Sequence, residues 1–299
     1  MGITFSFVGR VVEPGLSGPG EPAAQGGASL RMVVGIAGGG LPAAAEAGSR
    51  LPPMMRMEAV AALGAEVGAL TSVLLGLSEA EAQRETRCPP WDVAALAAHT
   101  VRALHQVEVA LDGPEPERAE VSAAGYYSPD VRFLPEVDEA RVRGVLEAAS
   151  RRADAGEAGR ECERAWRGLG PRLAAELVRR VVRTRHGDAM LLRDYLVTRV
   201  VELALHGLDL ADALERKPWT TPEGLAVVER LLFGDADQDA LARIGVSGLE
   251  AVRAVTGRAG PGGPDGDALR SAGGAVPGTG VRPGGDGAAG WHVIVGRAP

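Results

Sequence analysis

The stretch from Asp194 to Leu214, DYLVTRVVELALHGLDLADAL, constrains the chain more than any other. It has no glycine or proline before Gly207, and apolar residues including Leu196, Val197, Val200, Leu203, Leu205 and Leu208 cover every face of the helix it spells. A helix that is apolar all the way round must be enclosed by other helices. Within that rod stand Glu202 and His206. Four residues at about 100° each return to nearly the same azimuth, and Asp209 falls within about 20° of the line through Glu202. One buried stripe therefore carries three polar groups. A buried carboxylate is costly unless a cation meets it, and that cation is either an arginine, with Arg199 one turn away, or a metal ion.

The sequence around this helix divides by composition. Residues 1–53 hold 12 Gly and 6 Pro, residues 257–299 hold 14 Gly and 5 Pro, and neither tail can bury enough apolar surface to offset its ordering entropy. The expectation is a disordered extension over 1–53, with Met54, Met55 or Met57 as alternative starts, and a disordered tail over 258–299. A helical bundle is expected over 54–215 and a small helical region over 216–257. Met32 to Ala45 is apolar, but Gly38, Gly39, Gly40 and Pro42 interrupt it and only Arg31 precedes it, so it is not read as a signal peptide. No run approaches the roughly 18 to 20 apolar residues of a membrane span. A net charge of -7 and a pI of about 5.4 argue against nucleic-acid or anionic-membrane partners. Aromatics at 4%, beside abundant Ala and Leu, favour helix over sandwich. Cys88 and Cys162 have no CxxC spacing and read as reduced thiols of a cytoplasmic protein.

In chain order, MEAVAALGAEVGALTSVLLGL spells an amphipathic first helix from Met57 to about Gly76. The prolines of TRCPPW mark the turn into a second, from the N-cap Asp92 to Leu111, stopped by Gly113-Pro114. His99 lies at the edge of its apolar stripe, and His105 points to the other side, toward solvent. After a polar loop anchored by Tyr126 and Tyr127, a third helical region runs from Asp138, broken near Gly156–Gly159 and Gly168–Pro171, to about Arg185. Beyond the central helix, Thr221 caps a short helix through Phe233, and a last one covers Ser247 to Val255. No sustained alternation demands a sheet, and nucleotide-binding and nucleophile-elbow motifs are absent.

Glu and His at i, i+4 on their own fit a simple hydrogen bond as well as a metal site. A second histidine on the inner edge of a neighbouring helix favours metal, because two imidazoles and a carboxylate from adjacent helices are a usual way for a bundle to hold a divalent ion. His99, Glu202 and His206 supply three ligands and leave a position open, as catalytic sites do. TRCPPWDVAALAAHTVRAL resembles the T-x-C-P-G-W-x-V-x-D-L-x-x-H signature of the mycothiol-dependent maleylpyruvate isomerase family, with Pro90 in place of the usual Gly, and DYLVTRVVELALHGLDLADAL resembles that family's fourth-helix signature. The family belongs to the DinB/YfiT-like superfamily of metal-binding four-helix bundles. The resemblance covers roughly residues 57–215. It implies an all-α DinB-like four-helix bundle, with His99, Glu202 and His206 as metal ligands and mycothiol as thiol cosubstrate; two imidazoles and one carboxylate suit zinc or nickel as the ion, and the helical stretches beyond Leu214 add a short C-terminal helical extension. The region after Ala211 does not match the isomerase's own C-terminal domain, so maleylpyruvate is not implied as the substrate.

Trp91 reads as a core anchor at the helix start and Cys88 as a small buried hydrophobe. Asp209 either orients a ligand histidine or is a solvated acid at a helix end. Arg102 and Arg199 either reach a substrate carboxylate or neutralise Glu202 and Asp209. Neither cysteine lies on the site's helix faces, so the nucleophile is expected from outside. A free thiol is only about 3% ionised at pH 7, and a metal-bound one is ionised outright, a gain of about thirtyfold. The chemistry that follows is isomerisation of, or thiol transfer to, a small activated alkene. A metal- or ligand-binding regulatory module and a metal-dependent hydrolase are the alternatives. Monomer and homodimer are both open.

Overall fold

The computed structural model describes residues 34–35, 54–127, 135–177, 179–243, 248–259 and 290–291. It is an all-α, DinB-like bundle with two minimal two-stranded sheets. The helices are α1 (Met54–Leu75), α2 (Glu79–Ala82), α3 (Val93–Asp112), α4 (Pro135–Ser150), α5 (Glu157–Ala175), α6 (Leu192–Ala213), α7 (Pro222–Arg243) and α8 (Gly248–Val255). α1 and α3 each pack against both α5 and α6, which closes a four-helix core; α4 lies outside on α3, α7 lies against α6 and α1, and α8 packs on α7.

Local chemistry sets the ends of these elements. Ser78 and Glu81 form a reciprocal capping box on α2, and the Asp92 carboxylate accepts from Ala95 N at 2.8 Å to start α3. Thr221 Oγ1 accepts from Gly224 N at 3.0 Å at the start of α7. Leu63, Val67, Leu70 and Leu74 of α1, spaced three and four apart, are all buried in the bundle. α5 approaches α1 closely at Gly159, where a Cβ would come within 2.6 Å of the Leu75 amide nitrogen.

Four expectations change. The third helical region is two helices, of which only α5 belongs to the bundle, and it does not continue to Arg185. α5 stops at Ala175, Glu176 is extended, and the strand Val181–Arg183 pairs antiparallel with the strand Ala189–Leu191, Val182 opposite Met190. The β-branched Val181 and Val182 sit buried on this hairpin, and Gly187 takes the positive φ its turn needs. A short apolar run of that kind has no periodicity that separates strand from helix. The polar loop is tied to the hairpin, since the amides of Glu120 and Val121 both donate to Ala189 O, at 2.7 and 3.1 Å. The helix expected to end at Phe233 does end there, because Gly234 takes a non-helical φ of 66°, but a further helical stretch that was not expected follows it directly to Arg243. Glu58–Leu75 does have the length and apolarity of a membrane span, although Ala59, Ala62, Leu63, Val67, Leu70 and Leu74 within it are buried in the bundle. Of the tails, Val34–Gly35 pairs with Gly290–Trp291, and Arg258, assigned from composition to the tail, is buried. The remaining expectation of disorder falls outside the described residues.

Candidate metal centre

α3 brings His99 and α6 brings Glu202 and His206 to one point inside the bundle, with exposures of 2%, 0% and 4%. Their ligand atoms all lie within 4.8 Å of one another. His206 Nε2 is 3.7 Å from Glu202 Oε2, and the two imidazoles meet edge-on with ring centres 5.2 Å apart. His99 Nε2 and both oxygens of Glu202 are buried without a hydrogen bond. Buried polar atoms left without partners are costly, and a cation at their centre removes the cost. Two imidazoles and a carboxylate form a donor set that a zinc- or nickel-like divalent ion fits.

The electrostatics of the metal-free site agree. Burial, followed by the neighbouring His206 and Arg141, holds His99 well below the usual histidine pKa, so its ring is neutral. Burial likewise lowers His206, against the upward pull of Asp209. Burial raises Glu202 to about 8, although Arg199 and Arg141 oppose it. The site without an ion therefore keeps a proton on a carboxyl group that a cation would displace.

The residues around the triad sort by what they touch. Arg199 is fully buried, with Nη2 3.9 Å from Glu202 Oε1, and it donates to Gln106 Oε1 at 2.5 Å and Tyr126 OH at 3.2 Å while lying over the Tyr195 ring. This geometry sets the Arg199 charge beside Glu202, inside the protein. Arg102 is half-buried and lines a cavity of about 260 Å³ between α3, α4 and α5, which contains none of the three donors. Asp209 is no solvated acid: it is completely buried, its Oδ2 lies 3.1 Å from His206 Nδ1, and Arg258 clasps both its oxygens. Burial alone would raise its pKa, but Arg258 and the His206 hydrogen bond hold it below the usual carboxylate range.

Trp91 anchors the start of α3 and also stacks on His99, with ring centres 4.3 Å apart. His105 is half-exposed, with Glu108 at 2.9 Å and Glu161 at 2.8 Å.

Cys88 corrects the expectation that both thiols stand apart. Its Sγ lies 3.5 Å from Asp209 Oδ2, and Cys88, His206 and Asp209 form a second convergent group of potential ligands. That group is already balanced by Arg258, and burial followed by the Asp209 charge pushes the thiol up, so Cys88 stays protonated as a donor. Cys162 is buried in α5, and burial raises its thiol too.

Two arginines escaped the sequence reading. Arg141 of α4 is buried with its guanidinium 5.3 Å from the Trp91 ring centre. Arg258 follows α8 at the point where glycine and proline begin to crowd the sequence, and only Gly257 before it hints at a deliberate turn.

Residues 63–211 match the family model described as the mycothiol maleylpyruvate isomerase N-terminal domain. No curated protein and no solved structure matches the chain. The matched segment runs from within α1 to near the end of α6, so it takes in the four-helix core and all three donors and stops short of α7 and α8. The chain belongs to the mycothiol maleylpyruvate isomerase N-terminal domain family.

Proposed function

We propose that the protein is a metal-dependent enzyme that uses an external thiol, mycothiol, to isomerise or to thiolate a small activated alkene. The observation that carries this reading is the buried set of three donors, with orphaned acceptors on His99 and Glu202 and no fourth protein ligand in the same group among the described residues. Structural ion sites are closed by a fourth ligand, and catalytic ones keep a position open. His99, Glu202 and His206 would hold the ion. Once bound, it supplies the Lewis acidity that keeps a thiol ionised at neutral pH.

The protein's own residues do the rest. Asp209 accepts a hydrogen bond from His206 Nδ1 and fixes that ring, Trp91 packs against His99, and Arg199 balances the carboxylate of Glu202. Cys88 is held protonated beside Asp209 and Cys162 lies in α5, which supports a sulfur nucleophile from outside. Sulfur addition turns the alkene double bond into a rotatable single bond. Departure of the thiol after rotation gives the isomer and regenerates the cosubstrate, and protonation of the adduct carbon gives the thioether.

Turnover of an activated alkene, followed with and without mycothiol, tests the proposal. Activity should require mycothiol and survive Cys88→Ser and Cys162→Ser. Full turnover without any thiol would mark a hydrolase, and metal binding without turnover would mark a binding module; either result overturns the reading.

A further inference from the structure

Asp209 is held from outside the family-matched segment. Arg258 donates from Nε to Oδ1 at 2.8 Å and from Nη2 to Oδ2 at 2.7 Å, and both side chains are fully buried. An ionised carboxylate in such a fork can only accept, so the hydrogen bond at 3.1 Å from His206 Nδ1 makes that nitrogen the donor. The other ring nitrogen, Nε2, then carries the lone pair on the side facing Glu202 Oε2 at 3.7 Å. The tautomer that a metal ligand needs is thus written into the Asp209 contact.

The chain goes to some length to deliver Arg258. At the end of α8, Thr256 N donates to Val252 O, Gly257 N to Ala254 O and Arg258 N to Arg253 O, with Gly257 at φ 69°, a reversal that a side chain would resist. The returning segment is fastened by three contacts. Arg253 pairs with Asp212 at 2.7 Å, Arg253 Nη1 donates to Arg258 O at 3.1 Å, and Arg87 Nη2 donates to Gly257 O at 2.8 Å. Arg258 Nη1 closes the turn onto Thr256 O at 3.2 Å. Arg87 Nε also lies 3.8 Å from Oδ1, the oxygen that Arg258 Nε holds at 2.8 Å.

We propose that Arg258 is a positioning residue of the metal centre: its fork orients Asp209 so that His206 is held in the Nδ1-protonated tautomer with Nε2 as the ligand atom. This rests on the triad being a metal site. The C-terminal region thereby completes a site whose ligands all lie in the matched domain.

The test uses full-length protein, Arg258→Met and Arg258→Lys. Ring-nitrogen NMR of the metal-free protein reports the His206 tautomer, and chelator competition reports zinc affinity. The wild type should show protonated Nδ1. Arg258→Met should show mixed tautomers and a 10- to 100-fold loss of zinc affinity, and Arg258→Lys, which restores charge without the fork, should recover part of both. Wild-type ring shifts and zinc affinity in Arg258→Met overturn the proposal, however far its melting temperature falls, because the arginine is then only a staple for the segment. Should Arg258→Met fail to fold, wild-type shifts and affinity in Arg258→Lys overturn it equally. If the wild type binds no zinc, the metal reading fails, and the metal-free ring shifts still decide the role of Arg258.

Discussion

Replacing Glu202 with glutamine should stabilise the metal-free protein while destroying its metal site. Glu202 has no solvent exposure, and burial lifts its pKa from 4.5 to about 8 in the absence of an ion. Between those two values the folded protein keeps a proton that the unfolded chain has lost, so stability falls as pH rises through this window. At pH 7 the gap is about two and a half pH units, which at roughly 1.4 kcal/mol per unit comes to about 3 kcal/mol. Glutamine copies the shape of the protonated acid and has no charge to regain on unfolding. Chelator-treated Glu202→Gln should therefore be more stable than wild type by about 3 kcal/mol at pH 7, with the difference vanishing below pH 4.5. Urea denaturation at a series of pH values measures it. Addition of zinc should reverse the order, since the ion stabilises only the protein that binds it. A metal-free Glu202→Gln that is less stable than wild type at pH 7, or a difference that ignores pH, would refute the argument.

Two further outcomes follow from the same contacts. Gly159→Ala places a methyl 2.6 Å from the Leu75 backbone and forces α5 off α1, so urea denaturation should show a loss of about 1–3 kcal/mol; Gly68→Ala, with nothing within 4 Å of the new Cβ, should be neutral or stabilising. Zinc uptake by the metal-free protein at pH 7 should release about one proton, that of Glu202, because both histidines are already neutral. A weakly buffered titration with a pH indicator reads the release, and uptake with no proton released would contradict it.

The parts that local pattern dictates were legible in the sequence. α6 announced itself because apolar residues cover its whole circumference, and the i, i+4 spacing of Glu202 and His206 fixes their common face wherever the helix packs. His99 could be paired with them because its own helix has a clear stripe. What depends on distant parts of the chain was hidden. Val181 and Val182 suit helix or strand until Gly187 and the Ala189 contacts choose the hairpin. Cys88 lies in a proline-bearing loop with no periodicity, so nothing local places its sulfur beside Asp209. Arg258 sits where composition turns toward glycine and proline, and only the folded structure shows it crossing back to a carboxylate forty-nine residues earlier.

The most direct test of the central claim is the metal content of the purified protein, measured by mass spectrometry for the wild type and for His99→Ala, Glu202→Ala and His206→Ala. The buried triad predicts about one divalent ion per chain in the wild type and a loss of that ion in each variant. Wild-type metal content in all three variants, or none in any of the four proteins, would contradict it.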